Sequence, residues 1–223
     1  MNLTDKLLMK RDGDYKKFSE KLTPETRYPV IGVRVPELRA IAKEAALKCE
    51  YSFLDEKHVY FEEFFLHGLI IAYAPLPKKE KLRLLLEFLP VIDNWAICDC
   101  VASSFKIFKA DKAESFEFLL PLLSAEKPYS VRFAIACLLF HLVPECDEKI
   151  IAATRGIYSD ERCINAALGW LYCEMLVKDY DGVIPVLQSK TLSAAVQNAA
   201  IKKARESFRI PKEKKEYLLS LKK

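Results

Sequence analysis

The run Asp93-Asn94-Trp95-Ala96-Ile97-Cys98-Asp99 joins two helix-capping residue types to an indole and a carboxylate four positions apart. Asp and Asn before an apolar run start helices, because their side chains accept the free backbone N–H groups of the first turn. On such a helix Trp95 and Asp99 stack on one face. An indole attracts a cationic ring to its π-face and a carboxylate neutralises charge beside it, so the pair can hold a flat, positively charged ligand. A buried Trp followed by Asp one turn later is also ordinary helical packing, and the pair alone leaves both readings open. Core packing explains Asp99 least well. It interrupts the apolar run Trp-Ala-Ile-Cys-Asp-Cys-Val-Ala, and a buried carboxylate is costly without a partner or a task. Glu62 and Glu63, on the helix predicted over 58–74, are also candidates but read as first-turn acids favoured by the helix dipole.

The elements that must position these residues are helices. Only 6 glycines occur in 223 residues, and apolar side chains recur at spacings of three and four nearly everywhere. The pattern predicts an all-α chain with helices over 2–11, 13–22, 36–49, 58–74, 78–90, 94–108, 112–123, 130–143, 147–156, 161–178, 180–187, 192–207 and 212–221. Pro36 falls in a first turn, and Pro75, Pro77, Pro90, Pro128 and Pro144 fall between helices. Loops are short throughout, so residues 1–223 are expected to form a single domain.

A longer period overlies the helical one. Trp95 lies 37 residues before Arg132, and Arg132 lies 38 before Trp170. Each sits in a long apolar helix preceded by a shorter amphipathic one, the signature of an α-solenoid of stacked helix pairs. The interval is slightly short for HEAT units, so the repeats are HEAT-like. Equivalent positions of successive second helices then line one concave surface, which predicts that Trp95, Asp99, Arg132 and Trp170 converge. Taken singly, Trp170 in Ala-Ala-Leu-Gly-Trp-Leu also suits a core position, with Gly169 allowing close helix approach, and Arg132 also suits an ion pair with a neighbouring repeat.

Composition limits the function classes. A hydrophobic share of 51% with 30% charged residues is that of a soluble globular chain. The longest nearly uncharged run, Phe64 to Leu76, is too short to cross a bilayer, and the N-terminus lacks the form of a secretory signal, so a cytoplasmic protein is expected. Seven cysteines in apolar helical text read as reduced core thiols. His58, His67 and His141 have no metal-ligand spacing with them, and no metal or other cofactor is expected. Net charge is +4, yet residues 202–223 hold nine Lys/Arg against three Glu. Within this basic end Lys202, Lys203 and Arg205 are candidate phosphate contacts, although charge runs also serve simply as solvated helix faces.

The segments Val30-Ile31-Gly32-Val33-Arg34-Val35-Pro36-Glu37-Leu38-Arg39, Asp93 to Asp99, Val131-Arg132-Phe133-Ala134-Ile135 and Ala166-Ala167-Leu168-Gly169-Trp170 resemble, in order and approximate spacing, those of the AlkD family of HEAT-like DNA glycosylases. The resemblance covers most of the chain. It implies a curved superhelix with a concave DNA-binding face that excises cationic N3- and N7-alkylated purines from duplex DNA. By the same resemblance Trp95 and Asp99 match the family's Trp-x-x-x-Asp motif, Arg132 the arginine of the next repeat, and Trp170 the tryptophan of the Gly-Trp motif. An N-terminal aromatic of the family has its nearest counterparts in Tyr15 and Phe18. No arginine follows Trp170, where Leu171-Tyr172-Cys173-Glu174 stand.

Three functions are therefore in play. The first is a monofunctional glycosylase acting on double-stranded DNA containing alkylated bases, working as a monomer without a membrane partner. The second is a non-catalytic HEAT-like protein that binds distorted or branched DNA. The third is a peptide-binding solenoid, which has no need of the Trp/Asp/Arg/Trp set. A lyase-type glycosylase is disfavoured, since no lysine neighbours the Trp/Asp pair to form a Schiff base.

Overall fold

The computed structural model describes residues 2–223. Thirteen α-helices and no strand occur among the described residues. They are α1 (Leu3–Met9), α2 (Gly13–Leu22), α3 (Val35–Leu47), α4 (Phe61–Tyr73), α5 (Lys78–Phe88), α6 (Trp95–Ser104), α7 (Lys112–Leu119), α8 (Pro128–Cys137), α9 (Asp147–Thr154), α10 (Arg162–Lys178), α11 (Tyr180–Gln188), α12 (Ala194–Glu206) and α13 (Lys212–Ser220). Each expected helix has its counterpart. Three differ most from expectation: α6 stops at Ser104 and α7 at Leu119, each before a short 3₁₀ turn, and α8 opens on Pro128 and gives way to a π turn over Leu138–Leu142. Pro128 therefore starts a helix, where its missing N–H costs nothing, instead of separating two. Side-chain caps fix many of the starts: Asn2, Asp12, Asn94, Asp111, Asp179 and Ser193 each accept a backbone N–H of the turn they precede.

The chain divides into two compact units, the first ending at Ile107 and the second spanning Phe108–Lys223. In the first, α4 is apolar on every side, and it packs against α3, α5 and α6. Gly68 lets α6 approach, since a Cβ there would lie 2.5 Å from Val101 Cγ2. In the second, α8, α10 and α12 lie side by side, with α11 on α10 and α13 on α12. Gly169 sits where α12 crosses, and a Cβ would stand 2.5 Å from Ala199 Cβ. Alternate helices packing side by side, with their partners laid over them, are the stacked pairs of an α-solenoid.

Residues 23–34 of the first unit contain no helix. Glu62, 1% exposed at the start of α4, holds this segment: its carboxylate accepts the N–H groups of Ile31, Gly32 and Val33 at 2.9, 2.7 and 3.1 Å. Gly32 turns the chain at φ +99°, where a side chain would also strike the Asp12 carbonyl. Glu63 accepts from the N–H groups of Val59 and Tyr60 and from the Thr4 hydroxyl. Both acids stand in the first turn of α4 as expected, but they are buried braces and not a solvated helix face.

Candidate functional site

The two polar residues before α6 divide their work. Asn94, fully buried, caps the helix by accepting the Ile97 N–H at 3.0 Å. Asp93 turns away and accepts from the Thr26 hydroxyl, the Arg27 N–H at 2.8 Å and the Asn94 amide at 2.7 Å, which fastens the irregular segment to the start of α6. Trp95 is the first residue of α6, half-buried, with its indole N–H directed to the Leu22 carbonyl at 3.4 Å. Asp99 follows one turn later. Both line a cavity of about 310 Å³ whose apolar wall includes Val33, Val35, Leu38, Phe61 and Phe65. The wall places Trp95 and Asp99 beside bound space and not inside solid core.

Three further side chains give the cavity its polarity. Arg39, from α3, lines it and spends its donors on neutral acceptors: the Tyr73 hydroxyl at 2.6 Å, Ser104 at 2.7 Å, Ser103 at 3.4 Å and the Cys100 sulfur at 3.3 Å. Its motif is visible in sequence, but its partners lie on two other helices and nothing in the local pattern singles it out. Burial pushes the Cys100 thiol above its usual range, with Arg39 opposing and Asp99 adding to the rise. Tyr15 also lines the cavity, its phenol raised mainly by burial, and the Arg34 guanidinium lies 4.9 Å from its ring centre. Of the two aromatic candidates near the N-terminus, Tyr15 is thus at the cavity, while Phe18 is largely exposed with its ring 5.8 Å away.

The other predicted residues belong to the second unit. Trp170 is half-buried on α10, with the Phe140 ring edge-on at 5.3 Å and the Lys203 ammonium 5.9 Å from the indole centre. Gly169, beside it, serves the close approach of α12. Arg132 is 7% exposed on α8 and donates to the Cys163 carbonyl in the first turn of α10 at 2.8 Å. Lys202, Lys203 and Arg205 all stand exposed on the last turns of α12. The Glu174 carboxylate, one turn beyond Trp170, takes both terminal nitrogens of Arg209. Among the described residues no group of three His, Cys, Asp or Glu side chains is arranged to hold a metal ion, and no helix is long and apolar enough to cross a membrane.

All seven cysteines are free thiols; Cys98, Cys137 and Cys173 are buried, Cys100, Cys146 and Cys163 are partly exposed, and Cys49 is exposed. No curated protein matches the chain. The family model described as DNA alkylation repair enzyme matches residues 5–208, nearly the whole chain, and the protein belongs to that family.

Proposed function

We propose that this chain is a monofunctional DNA glycosylase that releases cationic N3- or N7-alkylated purines from duplex DNA. The observation that carries the reading is the cavity shared by Trp95 and Asp99, whose volume of about 310 Å³ suits a small ligand. An alkylated purine is already positively charged, so its glycosidic bond needs no general acid. As the bond between C1′ and the base nitrogen breaks, the electron pair leaves with the base and cancels its charge. Positive charge then develops on the deoxyribose, where the Asp99 carboxylate stabilises it and orients a water. The water oxygen bonds to C1′ and its proton passes to the carboxylate or to solvent, leaving an abasic site. Trp95 offers its π-face to the cationic purine before the bond breaks and to the sugar cation that forms as it does, a contact worth about 2 kcal/mol when desolvated.

Residues 1–223 act on the DNA as one functional domain, as a monomer. Trp170 and Arg132 engage the same duplex, and Lys202, Lys203 and Arg205 neutralise phosphates. A second reading, DNA binding without excision, draws on Arg132: a guanidinium 7% exposed and committed to a carbonyl suits bracing α8 against α10 better than gripping a phosphate. Chromatography of bases freed from methylated duplex DNA separates the two. The wild-type chain is expected to release 3-methyladenine or 7-methylguanine above the spontaneous rate, and Asp99→Asn to lose about 100-fold or more of that rate with DNA affinity nearly unchanged. No release by the wild type, with duplex binding intact, would establish the second reading.

A further inference from the structure

The loop between α12 and α13 carries a phenylalanine in open solvent. Phe208 is 103% exposed, more than any other large apolar side chain described. Its ring contributes nothing to the core, and the loop that bears it is not loose. Arg209 clamps Glu174 of α10 through both terminal nitrogens, and its backbone N–H donates to the Ser207 hydroxyl at 3.2 Å. Next along the chain Ile210 is buried at 4% exposure. An ion pair and a buried isoleucine thus fix the backbone directly after an unpacked aromatic ring.

The position of the loop gives the ring a neighbourhood. Glu174 follows Trp170 by four residues, one turn or about 5.4 Å along the same face of α10. Lys203, which lies over the Trp170 ring, belongs to the turn of α12 that leads into the loop. Lys202, Lys203 and Arg205 are exposed on that turn, and none of the three forms an ion pair among the described residues. An exposed aromatic ring on a braced loop, directly after these unpaired cations in the chain, matches what a nucleic acid offers: phosphates for the cations and a base face for the ring.

We propose that Phe208 is a stacking residue for duplex DNA, entering beside an unstacked or missing base while the α12 cations hold the flanking phosphates. Apolar side chains act in this way where proteins open a base step, and an already distorted step opens at least cost. The proposal rests on the reading of this chain as a DNA-binding protein. It assigns Phe208 to recognition of distortion and leaves the bond-breaking chemistry to Asp99.

The test uses the full chain with Phe208→Ala and Phe208→Trp, neither of which disturbs packing. Fluorescence anisotropy reports affinity for an intact duplex and for one with a tetrahydrofuran abasic analogue, and 2-aminopurine beside the analogue reports unstacking. Phe208→Ala is expected to weaken binding to the abasic duplex about tenfold, the loss of one base–aromatic contact, with little change on the intact duplex. Phe208→Trp restores it. The 2-aminopurine emission rises with wild type and not with Phe208→Ala, while the salt dependence stays the same because no phosphate contact is lost. Equal affinity and equal emission for wild type and Phe208→Ala would overturn the proposal while leaving DNA binding intact. So would a Phe208→Ala variant that differs only in self-association by sedimentation, which would assign the ring to a protein contact. Failure of the wild type to bind either duplex would sink the DNA-binding reading itself, and the proposal with it.

Discussion

Replacing Glu62 by glutamine keeps its shape and removes its charge, and the three bonds it accepts allow the cost to be worked out. Oε1 serves Gly32 and Val33, and Oε2 serves Ile31, all at 3.1 Å or less. In Glu62→Gln the amide oxygen can keep the first two as neutral bonds, each weaker by about 1 kcal/mol than its charged counterpart. The amide nitrogen then faces the Ile31 N–H, donor against donor, and leaves that group unsatisfied at about 1–3 kcal/mol. With the residue 1% exposed, water cannot compensate. The sum is about 3–5 kcal/mol, a large part of the 5–15 kcal/mol typical of a folded protein. For a chain of this length that corresponds to a fall in Tm of about 6–20 °C. Urea and thermal unfolding followed by circular dichroism measure it. Base release should fall too, because Val33 and Val35 form part of the cavity wall behind Asp99. A loss below about 1 kcal/mol would show that the carboxylate does not hold the segment, and the derivation would fail.

Other outcomes follow from single sites. His58 and His67 share a ring-to-ring hydrogen bond of 2.8 Å, and burial lowers the His67 pKa from 6.5 to about 3, with His58 adding to the fall. The unfolded chain then binds more protons than the folded one between those values. The stability this pair contributes is fully present above about pH 6.5 and is lost as pH falls toward 3, at up to about 1.4 kcal/mol per pH unit. A chemical-denaturation series from pH 8 to pH 4 should show this, and His67→Phe should flatten the decline; a series that is flat in the wild type would refute it. Gly169→Ala places a Cβ 2.5 Å from that of Ala199 and should destabilise by about 1–3 kcal/mol, with Ala199→Gly recovering part of the loss in a double-mutant cycle. Additive effects at those two positions would mean that α10 and α12 do not meet there.

The sequence disclosed most where structure is local. Capping residues and three-to-four spacing located all the helices, because both signals act within one turn. That Trp95 and Asp99 share one face of α6 was legible for the same reason, whereas the cavity they line also needs α2, α3 and α4. Arg39 stayed hidden as a site residue because its acceptors come from Tyr73, Ser103 and Ser104, more than thirty positions away. Glu62 and Glu63 were legible as first-turn acids, yet their real donors lie on irregular backbone that only tertiary packing brings to them. Arg132 was legible as a cation of the repeat, while its bond to the Cys163 carbonyl depends on how α8 meets α10. Charge counting drew attention to the basic end but not to Phe208, since exposure of one ring in a loop leaves no periodic trace.

The bond from Arg27 N–H to Asp93 spans 66 positions in sequence, and it ties the irregular segment to the residue that precedes the cap of α6. Neighbouring Tyr28 stacks on Phe64 of α4, with ring centres 3.8 Å apart. Neither end can therefore fray alone: releasing Arg27 unfastens Asp93, and disturbing Asp93 loosens the amide of Asn94 that orients the capping oxygen. In native-state hydrogen exchange, the amides of Arg27 and Ile97 are therefore expected to open as one cooperative unit, with a common free energy and a common response to denaturant. Trp95 lies between them in that unit. Its indole is thus presented by a folded assembly of distant segments, and its readiness for a ligand is a collective property of the loop and the helix start together.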